Sequence, residues 1–202
     1  MELVLIRHAL PVRIDGTPDD DPADPWLSEV GRAQAERLVE ALRGEQVTAL
    51  YSSPALRAQE TAVPLAKAFD FEPVVDPGLA EFDTAERSYI PVEELRAAGD
   101  PRWARLQRGE LSSAGVDPLA FRRRVVAAVA AIAAVHPGGR AVLVTHAGSI
   151  NAAAGHVSGQ DRPIWFAPAY CSITRIAVAR DGRRGLVSLN ETSHVRDLLS
   201  LR

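Results

Sequence analysis

The stretch Leu3-Val4-Leu5-Ile6-Arg7-His8 decides the fold class and contains the first two candidate site residues. Four consecutive aliphatic residues are typical of a strand that is buried on both faces of a parallel sheet. A second apolar run, Ala141-Val142-Leu143-Val144, is likewise followed by a polar pair, Thr145-His146. Because the carboxyl ends of parallel strands meet at one edge of a sheet, we expect Arg7, His8 and His146 to lie together.

The rest of the chain alternates between strand and helix patterns, which predicts an α/β domain with a mostly parallel sheet. Further strands are predicted at Val47–Tyr51, Pro73–Val75, Ile173–Ala179 and Leu186–Leu189. Helices are predicted from the cap residue Ser28 to Gly44, at the first turn marked by Pro54, at Pro118–Val135 and at Gly148–His156. In the third of these helices, we expect a shared apolar face of Leu119, Phe121, Val125, Val129 and Ile132.

Composition bounds the class of protein. The chain has 202 residues, of which 47% are hydrophobic and 24% charged, and its formal net charge is −3. These values exclude a disordered chain, a collagen and a small disulfide scaffold. A slightly acidic chain also gives no electrostatic reason to expect nucleic-acid binding. We predict one domain over residues 1–202, in which residues 82–116 form an excursion of short helices without a clean period.

The single cysteine, Cys171, cannot form an intrachain disulfide, which fits a reducing compartment. The apolar run that starts the chain is too short for a signal peptide, whose apolar region needs about 7–15 residues. No stretch reaches the ~18 apolar residues of a membrane span. We therefore expect a cytoplasmic protein without a membrane partner, and we leave open whether it forms a homodimer.

Arg57 adds a further cation to the predicted sheet edge. It stands one helical turn beyond Ser52-Ser53, which follow the predicted strand Val47–Tyr51. Two arginines and two histidines would then converge, and their burial without an anion would cost several kcal/mol. Phosphate is the natural ligand of such a cationic pocket. The alternatives are a structural, hydrogen-bonded role for each histidine and a solvated position for each arginine.

Four motifs follow one another along the chain. They are Leu5-Ile6-Arg7-His8-Ala9, Leu27-Ser28-Glu29-Val30-Gly31-Arg32-Ala33-Gln34-Ala35, Ser52-Ser53-Pro54-Ala55-Leu56-Arg57-Ala58-Gln59-Glu60-Thr61-Ala62 and Val144-Thr145-His146-Ala147-Gly148. In this order they resemble the motifs of the histidine phosphatase superfamily, the phosphoglycerate-mutase-like proteins. The resemblance implies a three-layer α/β/α sandwich with a mostly parallel central sheet.

The resemblance also implies roles for the four cationic residues. His8 would be the nucleophile and would form a phosphohistidine, which divides one difficult displacement into two easier ones. Arg7, Arg57 and His146 would hold the phosphoryl oxygens, and His146 would also belong to the catalytic set. Because the arginines supply the positive charge, we expect no metal site and no cofactor.

A carboxylic acid after the third strand is implied as the proton donor to the leaving oxygen. Glu81, in Gly78-Leu79-Ala80-Glu81-Phe82, is the best match, and Asp83 and Glu86 are the alternatives. The pKa of this acid should rise beside a bound phosphate, since a neighbouring negative charge disfavours ionisation.

Two positions depart from the pattern of the superfamily. Ala9 stands where glycine is usual, and a positive φ at this position would strain an alanine. The stretch Leu10–Ile14 lacks the hydroxyl and asparagine that many members carry. Arg13 either replaces that phosphate contact or is a charge of a solvent-facing loop.

Three functions are compatible with the sequence. The first is a phosphatase that hydrolyses a small phosphomonoester. The second is an isomerase of the phosphoglycerate mutase type, which returns the phosphoryl group to its substrate. The third is a phosphate-binding module with weak or no turnover, because a fold alone does not establish a function. We favour the phosphatase, since the 82–116 excursion is short and lacks a dense basic cluster for a second phosphate.

Overall fold

The computed structural model describes residues 1–18, 21–111 and 115–199. Its strands are β1 (Glu2–Arg7), β2 (Ala49–Ser52), β3 (Val74–Val75), β4 (Arg140–Thr145), β5 (Ile173–Val178) and β6 (Arg184–Glu191). Its α-helices are α1 (Glu29–Ala41), α2 (Leu56–Phe69), α3 (Val92–Ala97), α4 (Pro101–Gln107), α5 (Pro118–Val135) and α6 (Ala147–Ser158). Two 3-10 turns, at Pro77–Leu79 and Ser193–Val195, complete these elements.

The strands form one six-stranded sheet in the order β3-β2-β4-β1-β5-β6. The pairs β1–β4, β4–β2 and β2–β3 are parallel, whereas β1–β5 and β5–β6 are antiparallel. The predicted α/β fold with a mostly parallel sheet is therefore confirmed. Because β4 lies between β1 and β2, the carboxyl ends of these three strands are adjacent, which is where open α/β sheets bind ligands.

Alternation along the strands builds two cores, one on each face of the sheet. Leu3 and Leu5 of β1 pack in a cluster with residues of α5 and α6, whereas Val4 and Ile6 pack in another cluster with residues of α1 and α2. Helices thus cover both faces, which is the expected three-layer sandwich. A run of four aliphatic residues is required here because both sides of β1 are buried.

Helix termini largely follow the signals of the sequence. The hydroxyl of Ser28 accepts a hydrogen bond from the backbone N–H of Gly31 and caps α1 as predicted. The predicted bounds of α5 are confirmed, but the prediction that Leu119 shares the buried face of Phe121 is wrong, since Leu119 is 64% exposed. Two positions along a helix correspond to a rotation of about 200°, so these side chains point to opposite sides.

The segment that follows Glu81 contains the short helices α3 and α4, and we call residues 82–111 the cap segment. Residues 112–114 of the predicted excursion lie outside the described residues. The cap segment is joined to the loop after β1 by two backbone hydrogen bonds between Ile14 and Tyr89. Among the described residues, no helix combines the length and the apolar character that crossing a membrane requires.

Candidate active site

The five predicted site residues converge at the carboxyl edge of the sheet. Arg7 ends β1 and His8 follows it, Arg57 is the second residue of α2, His146 is the N-cap of α6, and Glu81 follows the 3-10 turn. All five are at most 7% exposed. They line one cavity of about 380 Å³ together with residues of the cap segment. The strand ends predict the convergence of the four cationic residues and the resemblance adds Glu81; the structure brings all five to one cavity.

The imidazole of His8 is held in one orientation by its own backbone neighbour. Its Nδ1 lies 2.8 Å from the carbonyl oxygen of Ala9. A carbonyl can only accept a hydrogen bond, so Nδ1 carries the proton and Nε2 keeps its lone pair. Burial, followed by the charges of Arg57 and Arg7, holds the pKa of His8 well below its usual range. A neutral imidazole with a free Nε2 is the form that can attack phosphorus.

Ser53 fixes the tautomer of the second histidine. The hydroxyl of this fully buried serine lies 2.7 Å from Nε2 of His146 and accepts the backbone N–H of Ala55 at 3.3 Å. No other acceptor for this hydroxyl is found in the described part of the chain, so the serine donates to Nε2. Burial, followed by the charge of Arg57, keeps the pKa of His146 well below its usual range. In a neutral ring whose Nε2 accepts, Nδ1 must carry the hydrogen.

Ala9 is accommodated without backbone strain. Positive φ values occur at only three non-glycine residues within the described ranges, Asp70, Cys171 and Asn190. The backbone N–H of Ala9 donates to the hydroxyl of Thr61 at 2.9 Å. The departure from glycine at this position therefore does not disturb the loop that presents His8.

Each buried arginine is already paired with a carboxylate of the cap segment. Nη1 of Arg7 lies 2.9 Å from Glu93, and Nη2 of Arg57 lies 2.9 Å and 3.0 Å from the two oxygens of Asp83. Part of the anionic partner that burial of these charges requires is therefore supplied by the chain itself. The carboxylates offset much of the desolvation cost of the guanidinium groups, since buried charges are tolerated when they are paired.

Three hydrogen-bond donors of the site nevertheless lack a partner. Nε of Arg7, Nε of Arg57 and Nδ1 of His146 are buried and make no hydrogen bond within the described part of the chain. A buried donor without a partner costs roughly 1–3 kcal/mol, so native structures rarely keep one without a reason. All three residues line the same cavity, so these groups without a partner cluster beside it.

The carboxyl group of Glu81 lies at the start of α6. Its Oε2 accepts the backbone N–H of Gly148 at 2.7 Å, and its Oε1 accepts that of Phe82 at 3.1 Å. A Cβ at position 148 would collide with this carboxyl group, which explains the glycine there. Burial, and then the negative charge of Asp83, raises the pKa of Glu81 to about 8. The group is therefore protonated at neutral pH and can act as an acid.

The alternative acids are placed differently. Asp83 receives two hydrogen bonds from Nη2 of Arg57 and is the counterion of that arginine. Glu86 lines the same cavity. Arg13 pairs with Asp15 and Glu94 in a half-exposed position and does not line the cavity, in agreement with a solvent-facing loop charge.

Sequence reasoning missed the partners of the cationic residues. Glu93 had no distinguishing pattern, because it stands in a short charged helix and is 86 positions from Arg7. Tyr170, whose ring lies 3.6 Å beneath the guanidinium of Arg7, was likewise not predicted. The contact between Ser53 and His146 follows from the adjacent ends of β2 and β4, a signal that the sequence contains once the strand order is known. No group of three or more metal-ligating side chains occurs within residues 1–18, 21–111 and 115–199.

Comparisons with known proteins point to one family of phosphate-transferring enzymes. The chain is 36% identical over 100 residues to phosphoserine phosphatase 1 from Hydrogenobacter thermophilus, a stretch that covers 47% of this chain and 45% of that protein. It is 28% identical over 207 residues to a 2,3-bisphosphoglycerate-dependent phosphoglycerate mutase from Thermoplasma acidophilum, with 98% of each chain covered. The first match thus spans less than half of that relative, whereas the second spans nearly all of it.

A solved structure shares the fold. The phosphoserine phosphatase from Entamoeba histolytica, crystallised with 3-phosphoglyceric acid, superimposes with a TM-score of 0.75 at 24% identity, over 96% of this chain and 98% of that chain. A sequence profile of the histidine phosphatase superfamily (branch 1) matches residues 3–192. Because that match covers nearly the whole chain, and the fold agrees with it, the chain belongs to the histidine phosphatase superfamily.

Proposed function

We propose that the protein hydrolyses a small phosphomonoester through a phosphohistidine on His8. The observation that carries this proposal is the set of three buried donors without a partner, Nε of Arg7, Nε of Arg57 and Nδ1 of His146, around the cavity that His8 lines. Polar groups left without a partner beside one cavity support an anionic ligand there, and preorganised donors contribute much of the stabilisation of a phosphoryl-transfer transition state.

In the first step, Nε2 of His8 attacks phosphorus while the bond between phosphorus and the ester oxygen breaks. The Nδ1–H of His8 remains bonded to the carbonyl of Ala9, so the positive charge that develops on the ring meets a carbonyl dipole. Glu81, protonated at neutral pH, gives its proton to the leaving oxygen. The products of the step are the free alcohol, phosphohistidine and an ionised Glu81.

In the second step, the roles of acid and base are exchanged. The carboxylate of Glu81 accepts a proton from a water molecule, and the water oxygen bonds to phosphorus. The bond between phosphorus and Nε2 breaks, its electron pair returns to His8, and inorganic phosphate leaves. Glu81 is protonated again, so its raised pKa serves both steps.

Hydrolysis is favoured over the mutase reaction by the charges of the cap segment. A mutase must hold a substrate with two anionic groups, whereas here the guanidinium groups of Arg7 and Arg57 are already paired with Glu93 and Asp83. The relatives include both phosphatases and a mutase, so the comparisons do not separate these activities. A phosphate-binding module without turnover would not require a buried acid such as Glu81 with its pKa raised to about 8.

The decisive experiment traps the intermediate. Acid quench after a brief exposure to a ³²P-labelled aryl phosphate should leave an acid-labile phosphoryl group on the wild-type chain and none on His8→Ala. The rate of His8→Ala should fall by several powers of ten, because a covalent nucleophile is lost. His156→Ala, which removes an exposed histidine of α6, is the matched control. Retention of more than about a hundredth of the wild-type rate by His8→Ala would contradict a covalent role.

A further inference from the structure

The cavity extends beyond the phosphate-binding donors into a region with a different chemistry. Side chains of the cap segment and of residues 164–168 form its walls, and most of them are apolar or aromatic. They include Phe82, Leu95, Trp103, Leu106, Ile164 and Phe166. Ligand sites commonly combine such apolar walls with a few polar groups that orient the ligand. The ring of Phe82 and the carboxyl group of Glu81 both lie beside Gly148, so these walls reach the group that would protonate the leaving oxygen.

The charges of the same walls disfavour a second anion. Asp83 and Glu93 pair with the two buried arginines, and Glu86 adds a further acidic side chain to the cavity wall. Arg102, also a wall residue, is paired with Asp100 at 2.7 Å, and Arg105, the remaining arginine of the wall, is exposed. A bound phosphate dianion adds negative charge to this balanced set, so a neighbouring carboxylate or phosphate on the substrate would be repelled.

From these two observations we infer that the substrate is a phosphomonoester of an apolar alcohol or phenol that carries no second anionic group. This inference rests on the proposed phosphatase activity and specifies its substrate class. It separates the protein from its relatives, since both phosphoserine and 3-phosphoglyceric acid carry a carboxylate near the phosphate ester. Burial of the leaving group against Trp103 and Leu106 would supply the affinity, because each buried methylene strengthens binding about fourfold.

The test compares kcat/KM of the wild-type enzyme for ethyl, butyl and hexyl phosphate with that for phosphoserine and 3-phosphoglycerate. All five esters release a primary alcohol, so differences report mainly the binding of the leaving group. We expect kcat/KM to rise by about fourfold per methylene along the alkyl series, and the two carboxylate-bearing esters to be poorer than butyl phosphate. Glycerol phosphate, which is polar but carries no carboxylate, separates the effect of charge from that of polarity.

Variants of the cavity wall test whether it causes the dependence of kcat/KM on alkyl chain length. Trp103→Ala should flatten the rise from ethyl to hexyl phosphate, whereas Trp26→Ala, which removes an exposed tryptophan outside the cavity, should leave it unchanged. Ile164→Ser, which changes a wall residue outside the cap segment, should likewise flatten this rise. Because the comparison of substrates uses the wild-type chain, it decides the question even if a variant fails to fold.

Two results would overturn the inference in distinguishable ways. A higher kcat/KM for phosphoserine or 3-phosphoglycerate than for hexyl phosphate would refute the substrate class and leave the phosphatase proposal intact. Loss of that preference in Arg105→Ala would then assign the carboxylate to Arg105, an exposed residue that lines the cavity. Absence of turnover with every ester would overturn the proposed function, and this inference with it.

Discussion

Replacing Glu81 by glutamine should separate acid catalysis from phosphate binding. The amide of Glu81→Gln keeps nearly the same shape and can still accept the backbone N–H of Gly148, but it cannot give a proton to the leaving oxygen. With an alkyl phosphate, whose alkoxide is a poor leaving group, kcat/KM should fall by about 10²–10⁴-fold. With 4-nitrophenyl phosphate, whose leaving oxygen needs little protonation, the first step should be affected much less.

The raised pKa of Glu81 sets the pH dependence. With a pKa of about 8, roughly nine-tenths of the free enzyme holds this proton at pH 7. For alkyl phosphates, kcat/KM should therefore be nearly constant around pH 7 and fall about tenfold per unit above pH 8. The second ionisation of a phosphate monoester, near pH 6, lies well below this decline. In Glu81→Gln the alkaline decline should be absent.

The same proton affects the stability of the fold. A carboxyl group whose pKa is higher in the native state than in the unfolded chain favours the native state at low pH. Its contribution is lost as the pH rises from about 4.5 to about 8, by up to ~1.4 kcal/mol per unit. Urea denaturation at several pH values should show this loss in the wild type and not in Glu81→Gln.

A control variant and the comparison of two substrate types distinguish loss of acid catalysis from structural damage. Glu72→Gln, at an exposed position, should behave as the wild type in all three assays. Equal losses with alkyl and aryl phosphates in Glu81→Gln would indicate structural damage and refute the argument for an acid. Near-normal activity with alkyl phosphates would move the role to Asp83 or Glu86, which Asp83→Asn and Glu86→Gln would identify.

Three further predictions follow from the buried polar groups and from the cationic site. Burial and nearby arginines lower the pKa values of His8 and His146, so the unfolded chain binds protons before the native chain does as the pH falls below about 6.5. The free energy of unfolding should then decrease by up to ~1.4 kcal/mol per pH unit for each histidine. Urea denaturation of His8→Ala at several pH values should show a smaller decrease per pH unit than the wild type. Ser53→Ala should lower kcat more than it raises KM, and it should change the ¹⁵N chemical shifts that report the tautomer of His146. Ser52→Ala should leave those shifts unchanged, because in the described part of the chain this buried hydroxyl bonds only to the carbonyl of Ser53. Excess EDTA should leave activity unchanged and vanadate should inhibit; loss of activity that Mg²⁺ or Zn²⁺ restores would instead indicate a metal-dependent mechanism.

The sequence could predict the sheet and the cluster of cationic residues at its edge because their signals are local. Arg7 and Thr145 are the last residues of two strands that are buried on both faces, and a histidine follows each of them. The run of aliphatic residues and the polar pair at its end are therefore adjacent in sequence. Glu81 could be placed only through the resemblance to a family, because nothing in its own neighbourhood distinguishes it from Asp83. The error at Leu119 arose from combining residues two positions apart, which a helix places on opposite sides.

The residues that surround the cationic cluster could not be predicted from local patterns. The cap segment has no period that marks a buried face, and α3 is only six residues long. Its carboxylates reach the arginines across large separations in sequence, 86 positions for Glu93 and 26 for Asp83. Such pairs form only when a loop folds back over the sheet. The pattern of charge and hydropathy along the chain does not predict how that loop folds.

These long-range pairs change the account of how the site recognises phosphate. If the arginines of the site lacked counterions, total charge would dominate binding, and any polyanion of suitable size would be attracted. With Arg7 and Arg57 each paired with a carboxylate, we expect binding to depend more on the positions of individual hydrogen-bond donors, such as the groups of Arg7, Arg57 and His146 that have no partner in the described part of the chain. Donors in fixed positions discriminate by geometry, so they favour the trigonal phosphoryl group over the substrate and the product. Inorganic phosphate should then bind only modestly. The cap segment would contribute to turnover in two ways, by lowering the affinity for this product and by forming the cavity for the leaving group.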